Sequence, residues 1–177
     1  GYTMSVNYVE GMGTHHVMLN GFSMENPGFD AQDPEFPDTR IDDLFEHDRP
    51  EFLMYGGEER ESELVGFAWF VHAPADSPPE GFTGDNDWWH RHDSLCFQTV
   101  EFLVMGADLD EETCDNRNGV NVNLEEYWMV HAWIIRPWLT YDDVFTNHHP
   151  CLLEDGPEQN LEADCWGEST EHVAHEI

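Results

Sequence analysis

The sequence predicts a mainly β, single-domain fold, a small barrel or sandwich with one or two short helices and long loops. Three observations predict it. Apolar stretches are short and are broken at close intervals by Pro and Gly. Several alternate at period two. The 177 residues suit one domain with a hydrophobic core, and the 13% aromatic content is that of a folding chain. The expected organisation is one domain over 1–177, with a β core at 13–150 and an acidic tail at 152–177.

Taken in order, residues 1–12 read as a loose leader or an edge strand. Residues 14–20, THHVMLN, read as a short strand. Residues 21–50 are rich in Pro and Asp and predict a long loop, with one helical turn near IDDLFEH. EFLMYG (51–56) is a strand closed by Gly56 and Gly57. In 63–74, Val65, Phe67, Trp69 and Val71 fall on one face, and Pro74 follows as a terminator. WWHRHDSLCF predicts another strand, and 98–106 either continues it or pairs back on it. Residues 108–119 predict a helix capped by Asp108, acidic in its first turn and ended by Gly119. In 126–138, Tyr127, Met129, His131, Trp133 and Ile135 share one face, with Trp128, Val130, Ala132 and Ile134 on the other. Both faces are apolar, which predicts a central, buried strand. TYDDVFTNHHP reads as a capped helical turn and a loop.

Charge narrows the partners. There are 38 Asp and Glu against six Lys and Arg, all six being Arg, for a net charge of −32. Self-repulsion of that size disfavours a compact state at low ionic strength, and molar salt screens it. The expected setting is therefore a high-salt environment, as for a halophile. Nucleic acid and anionic membranes are excluded as partners on electrostatic grounds. No apolar run is long enough for a membrane span. The chain opens on Gly1 rather than Met, which fits a mature or truncated chain from which an export signal has been removed.

Four cysteines, Cys96, Cys114, Cys151 and Cys165, form no CxxC pair, which argues against a zinc ribbon or thioredoxin site. Two disulfides are expected, in an oxidising compartment. Three connectivities exist for four cysteines, and sequential pairing, Cys96–Cys114 and Cys151–Cys165, is the one adopted. Buried free thiols are the alternative.

The chemistry lies in the eleven histidines. Five fall in predicted strands: His15, His16, His90, His92 and His131. Residues i and i+2 of a strand project to one side, so His90 and His92 point together. His131 sits within a buried strand, where an imidazole needs a hydrogen-bond partner or a metal. Three or four histidines converging inside a small β fold are a common way to hold a transition ion, here Cu, Zn, Fe or Mn. The candidate ligands are His90, His92, His131 and one of His15 and His16, with Glu51 as the carboxylate. Asp93 ranks below Glu51, because it points away from the histidine pair. His148 and His149 read as surface, or as supports for the ligands. Trp88, Trp89, Trp128 and Trp133 either wall the site or pack the core. The alternatives to a catalytic metal site are a carrier or sensor of metal, and a structural or interaction protein of the cell surface with core histidines.

Other chemistries lack their residues. There is no Walker motif, no GxGxxG and no GxSxG. Without Lys there is no Schiff base. Carboxylates are too abundant for any pair of them to be informative.

Two resemblances add to this reading. Gly84, five residues, then His90 and His92 are similar to the opening of the first cupin motif. Cupins are small β-barrels that hold a metal through three His and a Glu. Here Cys96 or Phe97 stands where the family's Glu belongs, and Ile135 stands where its second motif has Asn. Secondly, the order GTHHVMLN, RPEFLMY, ELVGFAWFV, WHRHDSLCF, EETC, WMVHAWI and VFTNHHP resembles a group of uncharacterised secreted bacterial proteins over residues 13–150. That resemblance implies export, a Cys96–Cys114 bridge and importance for the histidine positions. It implies no reaction.

Overall fold

A computed structural model describes residues 1–83, 86–135, 142–154 and 156–157. The fold is mainly β, as expected, with one short α-helix. Its strands are β1 (Tyr2–Val9), β2 (Gly13–Met18), β3 (Phe52–Tyr55), β4 (Leu64–His72), β5 (Ser94–Gln98), β6 (Leu103–Ala107), β7 (Val120–Asn123), β8 (Tyr127–Trp133), β9 (Leu152–Leu153) and β10 (Gly156–Pro157). The helix α1 spans Glu111–Asn116, and a 3₁₀ turn covers Asp142–Phe145.

The strands form a five-stranded antiparallel sheet in the order β1-β2-β3-β4-β8, a three-stranded antiparallel sheet in the order β6-β5-β7, and the small β9–β10 pair. The described strands do not close into a barrel.

The large sheet carries apolar side chains on both faces. Val17, Phe52, Met54, Ala68, Phe70 and Trp133 pack into the main core. Trp69, Val130 and Ala132 pack on the opposite face with Phe145. The alternation read along β8 is the one observed. Its position is not, because β8 ends the ladder rather than lying inside it. Its free edge is met at one point by the His90 segment, through His90 N–H to Met129 O (2.9 Å) and Met129 N–H to His90 O (2.7 Å). In β4, Val65 joins the main core while Phe67 and Trp69 join the opposite cluster. A register shift between Met54 and Tyr55 accompanies this change of face.

Residues 1–12 contain a true edge strand. No helical turn forms at 41–47, which is bends and irregular chain as far as Glu46, where a hydrogen-bonded turn begins (Arg49 N–H to Glu46 O, 2.9 Å). The long loop is nevertheless a lid on the core: Phe22, Met24, Phe36 and Ile41 are buried in it. Side chains from the strands anchor it. Tyr127 Oη–H donates to Pro34 O (2.6 Å), Trp69 Nε1–H to Glu46 O (2.9 Å) and Tyr2 Oη–H to Pro50 O (2.7 Å).

The helix is shorter than expected and is capped by Asp110, not Asp108. The Asp110 carboxylate accepts from Thr113 N–H at 2.8 Å. Asp108 has φ 50°, a left-handed backbone that cannot serve as an N-cap. Cys96 and Cys114 are bridged, as expected. The bridge ties α1 to β5. Cys151 is also in a disulfide; the expected partner, Cys165, lies outside the described residues, as do most of the acidic tail and Gly84.

Candidate functional site

Strand register decides which of the paired histidines faces the core. His15 aligns with Met54, Met54 with Gly66, and Gly66 with Trp133. One step along, Val17, Phe52, Ala68 and His131 form the next row. Directly opposed residues share a face, so His15 and His131 both project into the main core. His16 projects to the other side, half-buried against the Tyr55 ring at 4.8 Å.

β2 and β8 are three strand spacings apart, roughly 14 Å at ~4.8 Å each. Their imidazoles nevertheless meet, with His15 Nε2 and His131 Nε2 3.3 Å apart. The strand beside β8 carries small residues, Gly66 and Ala68, in these two rows, which leaves the rings room to reach over it. A Cβ on Gly66 would lie 2.9 Å from Ala132 O and 3.1 Å from the Trp133 ring.

His90 joins from the edge of β8. Its bridge partner, Met129, shares a face with His131, so the His90 ring falls 5.0 Å from that of His131. The ring of His92 is 6.0 Å from that of His90. His90 and His92 thus lie together, although the continuous strand expected through them is absent and β5 begins only at Ser94.

Hydrogen bonding fixes some protons. Asn147 O can only accept, so His131 donates through Nδ1 (2.8 Å) and presents a bare Nε2 when neutral. His92 Nδ1 faces Asp108 Oδ2 at 3.3 Å. A second nitrogen oriented by a carbonyl or carboxylate is the usual support of a metal-ligating histidine. Neither ring nitrogen of His90, nor Nδ1 of His15, makes a hydrogen bond of good geometry among the described residues, although all three atoms are buried and the Trp88 backbone lies close enough to His90 to oppose the lowering of its pKa. Leaving buried polar atoms so costs about 1–3 kcal/mol each.

Burial sets the electrostatics. It is the main cause that lowers His15 to a pKa of about 3, with His90 and His16 adding to it. His90 is held well below the usual imidazole range by burial, then by His131 and His92. His131 is lowered likewise by burial, then by His15, against the opposing effect of the Asn147 carbonyl. All three are neutral at pH 7. His148 adds a smaller electrostatic effect of the same sign to both His90 and His131.

Glu51 lies elsewhere in the core. It is 2% exposed and accepts from Phe70 N–H at 2.9 Å. Burial raises its pKa to about 8, partly opposed by that hydrogen bond, and the charged groups acting on it are Asp42 and Arg40, not the histidines. Asp93 pairs with Arg91 at 2.8 Å, near the surface.

The histidines border a cavity of about 290 Å³. His15, His90 and His92 line it, and the rest of its wall is overwhelmingly apolar, drawn from both sheets. Among the described residues, no three His, Cys, Asp or Glu side chains are already arranged to coordinate one ion.

No protein family, curated protein or solved structure matches this chain.

Sequence reasoning missed two contributors, Asp108 and Asn147, and left His148 as either a surface residue or a support for the ligands. The loop carrying it is pinned inward by Trp133 Nε1–H to Thr146 O (2.7 Å) and by His149 N–H to Gly11 O (2.7 Å). Asp108 and Asn147 act on histidines 16 residues away in sequence, His92 and His131 respectively. The HxH spacing carries no signal for either.

Proposed function

We propose that this is an extracytoplasmic protein of a high-salt setting, whose two-sheet, sandwich-like β fold binds one transition ion at His15 and His131. The observation that carries the reading is the 3.3 Å approach of the two Nε2 atoms, with His131 Nδ1 already committed to a carbonyl. Two nitrogens bound ~2.0–2.1 Å from a tetrahedral ion are roughly 3.3–3.4 Å apart. His90, whose ring lies 5.0 Å from that of His131, would be the third ligand if its ring turned to bring a nitrogen to the ion. His92 or His148 would supply a fourth. If a position stays open, the ion can act as a Lewis acid or activate a bound water or O₂. If all four are filled, the protein is a carrier or sensor. Cu, Zn, Fe and Mn all suit an imidazole set to some degree, with Mn the poorest match. The disulfides are compatible with an oxidising compartment.

A second reading has its own support. The 3.3 Å contact also fits an N–H···N hydrogen bond in which His15 donates to His131, and no three-ligand set is formed as the side chains stand. The cluster would then be a structural polar core.

Metal analysis by mass spectrometry separates the two. The protein is purified in molar salt without chelator or nickel resin, beside His131→Ala, His15→Ala and His16→Ala variants. The metal reading expects near-stoichiometric ion in the parent and in His16→Ala, lost in the other two. Folded parent that takes up none of the four ions on reloading leaves the structural reading.

A further inference from the structure

Folded interiors rarely keep voids much larger than a water molecule. The cavity beside the histidines holds about 290 Å³, near the lower bound of small-molecule sites at ~300 Å³. Its composition is uneven. The deep wall is apolar, with Phe52, Phe97 and Leu124 buried there. No Asp, Glu or Arg lines it, in a chain with 38 acidic residues. Its polar lining residues are Ser5, Asn7, His15, His90 and His92, and His15 Nδ1 and both nitrogens of His90 make no hydrogen bond of good geometry among the described residues. At the outer side, Asn7 and Val9 of β1 are exposed, and Met105, Gly106 and Ala107 of β6 are half-buried. The most exposed part of the wall is therefore on β1, beside the β6 strand it packs against.

We infer that this cavity is a binding site for a small, uncharged, mostly apolar molecule, which presents one hydroxyl or carbonyl group to His15 and His90. The apolar wall takes the body of the ligand by burial of its surface. A charged head would have to be desolvated with no counter-charge on the wall, which disfavours acids and amines. The imidazole nitrogens that the fold leaves alone are enclosed as the rings stand, and a hydroxyl or carbonyl satisfies them once a ring turns toward the void. The inference shares two histidines with the proposed metal centre but requires no ion.

The test uses 2-naphthol, with naphthalene, 2-naphthoate and 2-naphthylmethylamine as comparators. Each is titrated by calorimetry into the whole metal-free protein in molar salt, and into metal-loaded protein if loading succeeds. Saturable one-to-one binding of 2-naphthol is expected in metal-free protein. Naphthalene should bind about tenfold more weakly, for the loss of one hydrogen bond, and the charged analogues more weakly still. Ala107→Trp should block the site. A second readout needs no variant. Of seven methionines, Met12, Met105 and Met129 line the cavity. In protein with ¹³C-labelled methionine methyls, naphthol should shift these three signals and leave Met4, Met18, Met24 and Met54 unmoved. Absence of saturable binding, tighter binding of a charged analogue to metal-free protein, or shifts at the other four methionines would overturn the inference. Naphthol binding without any metal uptake would sink the metal reading alone. Metal uptake without naphthol binding would sink this one alone.

Discussion

Glu51 and His15 are both buried ionisable groups, and their pH responses run in opposite directions. The carboxyl of Glu51 keeps its proton in the folded state up to about pH 8, whereas an unfolded Glu releases it near 4.5. Between those values the folded state binds more protons, so stability falls as pH rises, by about 3–5 kcal/mol over the whole window. His15 is neutral in the folded state down to about pH 3, whereas an unfolded His takes a proton near 6.5. Its contribution is complete above 6.5 and is lost as pH falls. His90 and His131 behave alike. Below pH 6.5, three histidines therefore oppose one carboxyl, and the histidines win, so stability falls as pH falls. Urea unfolding of metal-free protein at constant molar salt should show maximal stability near pH 6.5, with a steep acid limb and a shallow alkaline one. Glu51→Gln keeps an acceptor for Phe70 N–H and should flatten the alkaline limb. A variant whose curve matched the parent from pH 6.5 to 9 would place the alkaline loss on another group.

A single added methyl should also be costly at Gly119. A Cβ there would lie 2.5 Å from Cys96 Sγ and Met105 Cε and 2.9 Å from Cys114 Sγ. Gly119→Ala should destabilise by about 1–3 kcal/mol through overpacking. With the bridge reduced, the difference should shrink, which thermal melts with and without reductant would read.

The elements divide by how strongly local chemistry specifies them. β4 and β8 were legible because apolar residues crowd both faces and alternate over seven or more positions. β7 (VNVN) was not, because two valines between asparagines look like a turn; Asn121 is placed there by donating to Leu109 O at 2.7 Å. The helix was found but its cap was misplaced by two residues, since Asp108 and Asp110 are chemically alike. Only backbone conformation separates them. The histidine site was half legible. Spacing brought out the His90–His92 pair and the buried position of His131, while the inward role of His15 needed the β2–β3 register. Asp110→Ala should cost about 1 kcal/mol, the usual worth of a cap. Because α1 carries Cys114, that loss should appear as faster amide exchange in α1 and β7 before global unfolding. Cutting the bridge itself, by Cys96→Ser with Cys114→Ser, should cost about 3 kcal/mol for a loop of this length. Chemical denaturation against the parent measures it.

At the scale of the whole molecule, charge outweighs any single contact. A net −32 on 20.5 kDa leaves few counter-charges, and the described ion pairs are few and near the surface. Screening is then the main relief of self-repulsion. The melting temperature should climb steeply between ~0.1 and ~1 M NaCl, as the screening length falls from about 10 to 3 Å, and more gently above. Potassium and sodium chloride should act alike if screening dominates. A large difference between them at equal concentration would point to bound cations. No described helix is long and apolar enough to cross a membrane.

Trp133 ties these scales together. Its indole is 1% exposed, lies 5.6 Å from the His131 ring and 5.7 Å from that of His149, and donates to Thr146 O. An indole so enclosed emits at short wavelength, and it sits within quenching range of whatever the neighbouring imidazoles hold. A proton, a paramagnetic ion or an arriving aromatic molecule would each dim or shift that emission differently. The fold thus carries its own optical gauge of the site, and Trp133→Phe, set against the parent, would isolate its signal from that of the other six tryptophans.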